Sequence, residues 1–512
     1  MHLSHRPRPA AQRRAGTSAP LAVQTGAAAP DGIAAPGASA RERRTWSVLF
    51  LLCVAQFMVI LDITVVNVAL PSIGRALPFA PADLQWVVTT YLLFTGGLML
   101  LGGRASDVLG RRRMFLAGLT VFTGASLASG LAPSAAALLA ARGGQGLGAA
   151  LLSPAALSII TATYTGRQRT AALTAWGALG SGGAAVGVLA GGLLTSGFGW
   201  RSVFLINVPV GVATGILSLR AIPAAGTAAG QERGRGRDLD LPGGLLVVAG
   251  LGVLVFALAG TDTHGWGSAR TIVLLILAAG LLAAFAAAER LALRPLLPPQ
   301  TWRSQPLVAG IAVMLGATGI LVGAFFLNTL YLQDVLGASA LTAGAEFLPM
   351  VLAIGLAAGL AAHLLPRAGA RVLAVTGLAI MAGGGLLLAA ATAGAGYVTG
   401  VLPGLLVLGL GIGLVFPAAT VSAMTNVSAG QEGLASGMMT TAHEVGAALG
   451  VAVFAAVATG AAGGRAAAGA GLAAGYRHGF TVAAVVAAGL AIIALLAVPA
   501  ARPAPGVRFG PH

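Results

Sequence analysis

Apolar residues in this chain neither alternate with polar ones, as in a half-buried strand, nor recur at the three-and-four spacing of a surface helix. They run on for about 20 residues at a time. Such runs fall at roughly 46–70, 84–103, 112–131, 135–161, 170–196, 202–219, 241–260, 271–288, 306–332, 341–364, 372–392, 397–424, 434–459 and 479–499. A helix needs this length to cross a hydrocarbon layer of about 30 Å, and it pairs its own amides where lipid offers no partner. The pattern predicts an all-α integral membrane protein with fourteen transmembrane helices. It excludes a β-barrel, whose strands alternate.

Polar interruptions organise these runs. The segment AAGTAAGQERGRGRDLD (224–240) follows the sixth run, and an arginine-bearing stretch at 290–304 precedes the last six. The expected layout is therefore a tail (1–45), a six-helix half (46–220), a linker (221–240), two extra helices (241–289), a loop (290–305), a second six-helix half (306–500) and a tail (501–512). An internal repeat supports it. GLGAALLSPAA (146–156) in the fourth run matches GLGIGLVFPAA (409–419) in the twelfth, and Gly187 and Gly191 of the fifth match Gly446 and Gly450 of the thirteenth. Two parallel, pseudo-symmetric halves of this kind enclose a central site.

Composition strengthens the membrane reading, with 57% hydrophobic and 9% charged residues against about 25% charged in a soluble domain. The net charge of +16 comes from 30 basic residues, all arginine. They lie in short loops between apolar runs rather than among aromatics on a soluble surface, which argues for membrane topology and against nucleic acid. With a cytosolic N-terminus, only Arg75, Arg201, Arg270, Arg465 and Arg477 fall in outer loops. The positive-inside rule thus places both termini in the cytosol of a multi-pass plasma-membrane protein. Cys53, the single cysteine, allows no intrachain disulfide and suggests no metal site. The first 44 residues lack the apolar stretch and cleavage site of a signal peptide and read as a disordered cytosolic tail.

The charges inside the runs carry the candidate chemistry. Asp62 interrupts FMVILDITVVNVALP in the first run, Arg142 lies inside the fourth, Glu346 falls in TAGAEFLPM of the tenth, and Glu444 follows His443 in TTAHEVGAALG of the thirteenth. A charge at mid-bilayer costs about 2.5–3.5 kcal/mol on insertion scales, so such groups face a cavity or a partner. Burial favours a neutral carboxyl and a neighbouring guanidinium favours the carboxylate, so a movement that changes either environment can load or release a proton. Asp62 also fits a role as hydrogen-bonding glue between helices, Arg142 can snorkel to the interface, and Glu346 can sit solvated at the outer end of its run.

Two further patterns concern motion. GGRASDVLGRRRMF (102–115) joins the second and third runs with Gly103, Asp107, Gly110, Arg111 and Arg112. Positive-inside anchoring explains the arginines but not the acid or the glycines, which suit a tight turn and a conformational latch. In the fifth run, Gly183, Gly187, Gly191 and Gly192 form a small-residue ridge suited to static packing or to sliding.

Together these motifs resemble the major facilitator superfamily, in particular its fourteen-span drug:proton antiporter branch. The 102–115 loop is similar to the superfamily signature between spans two and three, with Val108 where a basic residue is usual. LDITVVNVALP, ARGGQGLGAALLSP and the span-five glycines resemble its motifs in spans one, four and five, although Val188 replaces a proline and Thr174 a glycine. GWRSVFLINVPVG (199–211) is close to the form found in the fourteen-span branch. The resemblance implies a major facilitator fold and a proton-coupled exporter of hydrophobic, possibly cationic, small molecules or antibiotics. Asp62, Arg142, Glu444 and Glu346 would then serve proton coupling or substrate binding. Small-molecule substrate, protons and lipid are the expected partners, for a chain working as a monomer without cofactor. The alternatives are a proton symporter for a small metabolite and an intramembrane enzyme; His443 beside Glu444 falls short of the H-E-x-x-H cluster such an enzyme could use. No G-x-x-x-x-G-K-[ST] loop is present to bind a nucleotide.

Overall fold

The computed structural model describes residues 36–80, 83–222, 240–291, 301, 303–391, 395–425, 427, 432–461 and 470–500. Most of the expected linker at 221–240 and loop at 290–305, with the tail at 501–512, lie outside them. The chain divides into two compact units, Met1–Arg44 and Thr45–His512, and the spanning helices belong to the second.

The regular elements among the described residues are all helices, with α-helices α1 (Pro36–Ala76), α2 (Trp86–Leu109), α3 (Arg111–Gly130), α4 (Ala135–Thr163), α5 (Gly166–Phe198), α6 (Ser202–Leu205), α7 (Asn207–Ala221), α8 (Leu241–Ala259), α9 (Thr261–His264), α10 (Ala269–Leu291), α11 (Gln305–Leu330), α12 (Ala340–Glu346), α13 (Leu348–Ala389), α14 (Leu402–Met424), α15 (Glu432–Ala461) and α16 (Ala470–Ala497). Among them, 12 helical stretches have the length and apolarity to cross a membrane. Two expected spans are not counted separately. α3 falls short in hydropathy because it opens on Arg111, Arg112 and Arg113 and also carries Thr120, Thr123, Ser126 and Ser129. The tenth and eleventh runs form one 50-residue stretch, Ala340–Ala389, which bends at Gly369, where φ is 82°. Large apolar side chains such as Phe50, Leu193, Leu356 and Leu496 point outward, as lipid-facing residues do.

The sequence repeat has a packing counterpart. A Cβ on Gly146 of α4 would lie 2.5 Å from the Tyr91 carbonyl of α2, and one on Gly409 of α14 would lie 2.7 Å from the Met350 carbonyl of α13. Gly148 meets Phe122 of α3 as Gly411 meets Met381 and Gly377 in the second arm of α13. Gly187 and Gly191 seat α5 on Thr64 and Val65 of α1, and Gly446 and Gly450 seat α15 on Leu315 and Gly319 of α11. At these places other than Gly187, which meets the Thr64 side chain, glycine is required because the backbones approach too closely for any side chain.

The helices before α8 and those from α11 onward meet along two seams. In one, α5 packs on α12: a Cβ on Gly192 would lie 2.7 Å from Leu341 Cα, and the Leu341 amide donates to Ser196 Oγ at 3.2 Å. Nearby, Gln333 Nε2 donates to the Val68 carbonyl at 2.8 Å and Arg75 pairs with Asp334 at 3.5 Å. In the other seam, α2 packs on α15. The hairpin of α8 and α10 lies over this second seam, with α8 touching both α2 and α15. A Cβ on Gly97 would lie 2.5 Å from Val248, and Trp86 stacks at a tilt on Phe256 with centroids 6.3 Å apart. At its Gly166 end α5 is exposed along Thr165–Ala171, and an open groove of about 540 Å³ runs past Arg167, Thr170, Thr174 and Ala178.

Candidate functional site

Helices α1 to α7 enclose a polar cluster in an otherwise apolar interior. α4 starts where Ser134 Oγ caps the Ala137 amide at 3.2 Å, and two turns later Arg142 projects inward with no exposure to solvent. Its Nη1 donates to Asp62 Oδ2 of α1 and, at 3.0 Å, to Gln145 Oε1. Its Nε donates to the Val87 carbonyl of α2 at 2.8 Å. The guanidinium lies over the Tyr91 ring, 4.4 Å from the centroid, with Phe204 at 5.8 Å.

Asp62 is equally enclosed. Its Oδ1 accepts from Gln145 Nε2 at 2.9 Å and from Asn207 Nδ2 of α7 at 3.1 Å. Ser126 Oγ of α3 accepts from both amides, each at 3.1 Å, and donates to the Phe204 carbonyl at 2.9 Å. Ser129 Oγ donates to Gln145 Oε1 at 3.0 Å. Two of the α3 hydroxyls, those of Ser126 and Ser129, therefore serve this cluster. A buried ion pair is tolerated only when its remaining valences are met. Here both carboxylate oxygens are met, while Arg142 Nη2 has no partner.

Asp62 and Arg142 come together; the other two acids stand apart. Glu444 lies in the α2–α15 seam, where Gly96 makes room: a Cβ there would sit 2.8 Å from Glu444 Cβ. Its Oε1 is 3.4 Å from His443 Nδ1, and its Oε2 is buried without a hydrogen bond. His443 meets Phe416 of α14 edge to face, with centroids 5.9 Å apart. Tyr91 stands within electrostatic reach of both Asp62 and Glu444. Glu346 ends α12, half-buried, and its backbone carbonyl accepts from Tyr397 Oη at 2.6 Å.

The loop between α2 and α3 turns at Gly110, whose φ of 102° suits glycine. Asp107 is exposed and forms no ion pair among the described residues. Arg111 is exposed too, whereas Arg112 donates to the Leu219 carbonyl of α7 at 2.7 Å. Close approach to α4 is made by Gly102, whose added Cβ would lie 2.8 Å from the Ala150 carbonyl carbon; Gly103 leaves 3.8 Å to Pro154. On α5, Gly183, Gly187 and Gly191 face α1 while Gly192 faces α12, so the ridge serves both a within-half contact and a seam. Among the described residues no three His, Cys, Asp or Glu side chains are grouped to hold a metal.

Sequence reasoning did not assign Gln145, Ser126, Ser129 or Asn207 to the cluster. Gln145 stood in the quoted span-four motif and Asn207 in GWRSVFLINVPVG. The low hydropathy of α3 was the one signal for its serines.

A family model described as Major Facilitator Superfamily matches residues 52–451. The cephamycin export protein CmcT of Amycolatopsis lactamdurans is 41% identical over 425 residues, covering 81% of this chain and 86% of that protein. The puromycin resistance protein pur8 of Streptomyces alboniger is 41% identical over 429 residues, covering 82% and 84%. The multidrug resistance protein Stp of Mycobacterium tuberculosis is 36% identical over 394 residues, covering 77% and 72%. In fold, the chain is similar to a bacterial homolog of the human lysosomal transporter Spinster in an inward-facing, unoccupied conformation, with a TM-score of 0.64 at 18% identity, covering 89% of this chain and 97% of that one. Family match, relatives and helical architecture agree: the chain is a member of the major facilitator superfamily.

Proposed function

We propose that this chain is a proton-coupled exporter that expels hydrophobic small molecules, antibiotics among them, by alternating access. The observation that carries the reading is the Asp62–Arg142 pair. It is sealed inside one half and bonded to α1, α2, α4 and α7, so its charge state bears on the packing of four helices at once. A proton on Asp62 neutralises the carboxylate and leaves Arg142 an uncompensated buried cation seeking another partner, which changes how these helices pack. The relatives support export as the direction, since they are described by cephamycin export and by puromycin and multidrug resistance.

In this reading the chain has fourteen spans, with α3 and the two arms of α13 each crossing once, arranged as six, two and six. Both termini face the cytosol of a plasma-membrane monomer. The contacts at Ser196, Gln333 and Asp334 then close the outer side, and the groove beside Arg167 opens inward. Asp107 stands ready to engage a basic partner when the inner ends close, which gives the loop its latch role. Glu444 and Glu346 complete the set of acids proposed for coupling or substrate.

The test is transport into everted membrane vesicles, with proton release followed on adding puromycin or ethidium. Wild type is expected to exchange protons for drug. Drug uptake that proceeds unchanged after the proton gradient is collapsed would overturn the coupling.

A further inference from the structure

Of the carboxylates buried in the described spanning helices, Asp62, Glu289 and Glu444, the first and last differ in what each can still bind. Both oxygens of Asp62 are already bonded: Arg142 takes one, Gln145 and Asn207 the other, and all three donors lie on α4 and α7. Nothing larger than a proton can reach it without dismantling the cluster. Glu444 is the converse case. It is 8% exposed, its Oε2 has no partner, and it stands at a seam between halves, where alternating access moves the walls apart.

Nor is Glu444 required by the fold. In the register that superposes Gly187 on Gly446 and Gly191 on Gly450, Ala185 takes the place of Glu444. The same helix position is thus built with a methyl group in one half and a carboxylate in the other. Gly96 on α2 lets α15 approach closely at this point, where an added Cβ would lie 2.8 Å from Glu444 Cβ. With the partly exposed His443 ring 3.4 Å from Oε1 and nothing bonded to Oε2, a carboxylate in a low-dielectric seam is still costly, and an incoming cation lowers that cost. The half-buried ring of Phe416, which meets His443 beside the carboxylate, suits a flat apolar body or the face of a cation.

We infer that Glu444 is the cargo-recognition carboxylate, selecting hydrophobic organic cations, while Asp62 is the proton site kept out of cargo's reach. This inference rests on the exporter reading above and divides its two tasks between the halves.

Proteoliposomes carrying wild type, Glu444→Gln and Glu444→Asp decide it, with ethidium and tetraphenylphosphonium as permanent cations and chloramphenicol as a neutral probe. A charge-assisted contact contributes about 1.5–3 kcal/mol, so the ethidium-to-chloramphenicol transport ratio is expected to fall about tenfold or more in Glu444→Gln. Tetraphenylphosphonium binding in detergent should weaken in parallel, and Glu444→Asp should restore part of both. A monodisperse gel-filtration peak establishes that the Gln variant is folded. A ratio within twofold of wild type overturns the inference, as does a wild-type protein that carries chloramphenicol but neither cation. A wild type that carries none of the three probes tells instead against the exporter reading.

Discussion

Asp62 and Arg142 meet across α1 and α4 with neither side chain exposed to solvent, and Gln145 bonds to both. That third residue locks the pair, because its amide oxygen faces the guanidinium while its nitrogen faces the carboxylate. Charge and orientation are fixed together.

Asp62→Asn keeps the shape of the side chain and removes the charge. Substrate-induced proton release in everted vesicles is expected to disappear while the protein still inserts. Proton exchange at the wild-type level would show that Asp62 is only glue between helices.

A double-mutant cycle separates the pair from its scaffold. Removing one partner of a buried ion pair costs about 3–5 kcal/mol, so Arg142→Met should lower the unfolding temperature in detergent more than the Asp62→Asn/Arg142→Met double variant does. Strictly additive effects would mean the two charges do not interact.

How much of this was legible in the sequence depends on contrast. Asp62 and Arg142 stand out because hydrocarbon surrounds them in the chain, and the glycine repeat stands out because it recurs in order. Ser126, Ser129 and Asn207 do not, since hydroxyls and amides are ordinary in a helix and only the third dimension gathers them. The carbonyl of Val87, which accepts from Arg142 Nε, is a backbone atom and carries no residue signature. In the same way, hydropathy picks out Gly102 and Gly103 equally, yet only the first is held against α4.

The α5 ridge makes a graded prediction. A methyl on Gly191 would lie 2.9 Å from Val65 Cα, a backbone atom with little room to yield, whereas one on Gly180 meets nothing within 4 Å. Overpacking of this kind costs about 1–3 kcal/mol. Gly191→Ala should therefore lower thermal stability and slow transport, and Gly180→Ala should do neither; equal effects would remove the packing argument.

At the α2–α3 loop, Asp107→Ala is expected to insert and to bind tetraphenylphosphonium normally while turning over slowly, as measured by single-turnover counterflow. An unchanged turnover rate would remove the latch. Gly110→Ala, at a φ of 102°, should cost about 1–3 kcal/mol through backbone strain, seen as a lower unfolding temperature.

The α8–α10 hairpin gives the two seams different neighbours. One is shuttered by Val248 and Phe256, so its helix edges meet protein rather than acyl chains. The other lies outside that cover, along the side where the Gly166 end of α5 is bare. In the exporter reading, a compound dissolved in the bilayer is thereby offered one uncovered seam instead of two, and the α8–α10 pair works as a blind over the other.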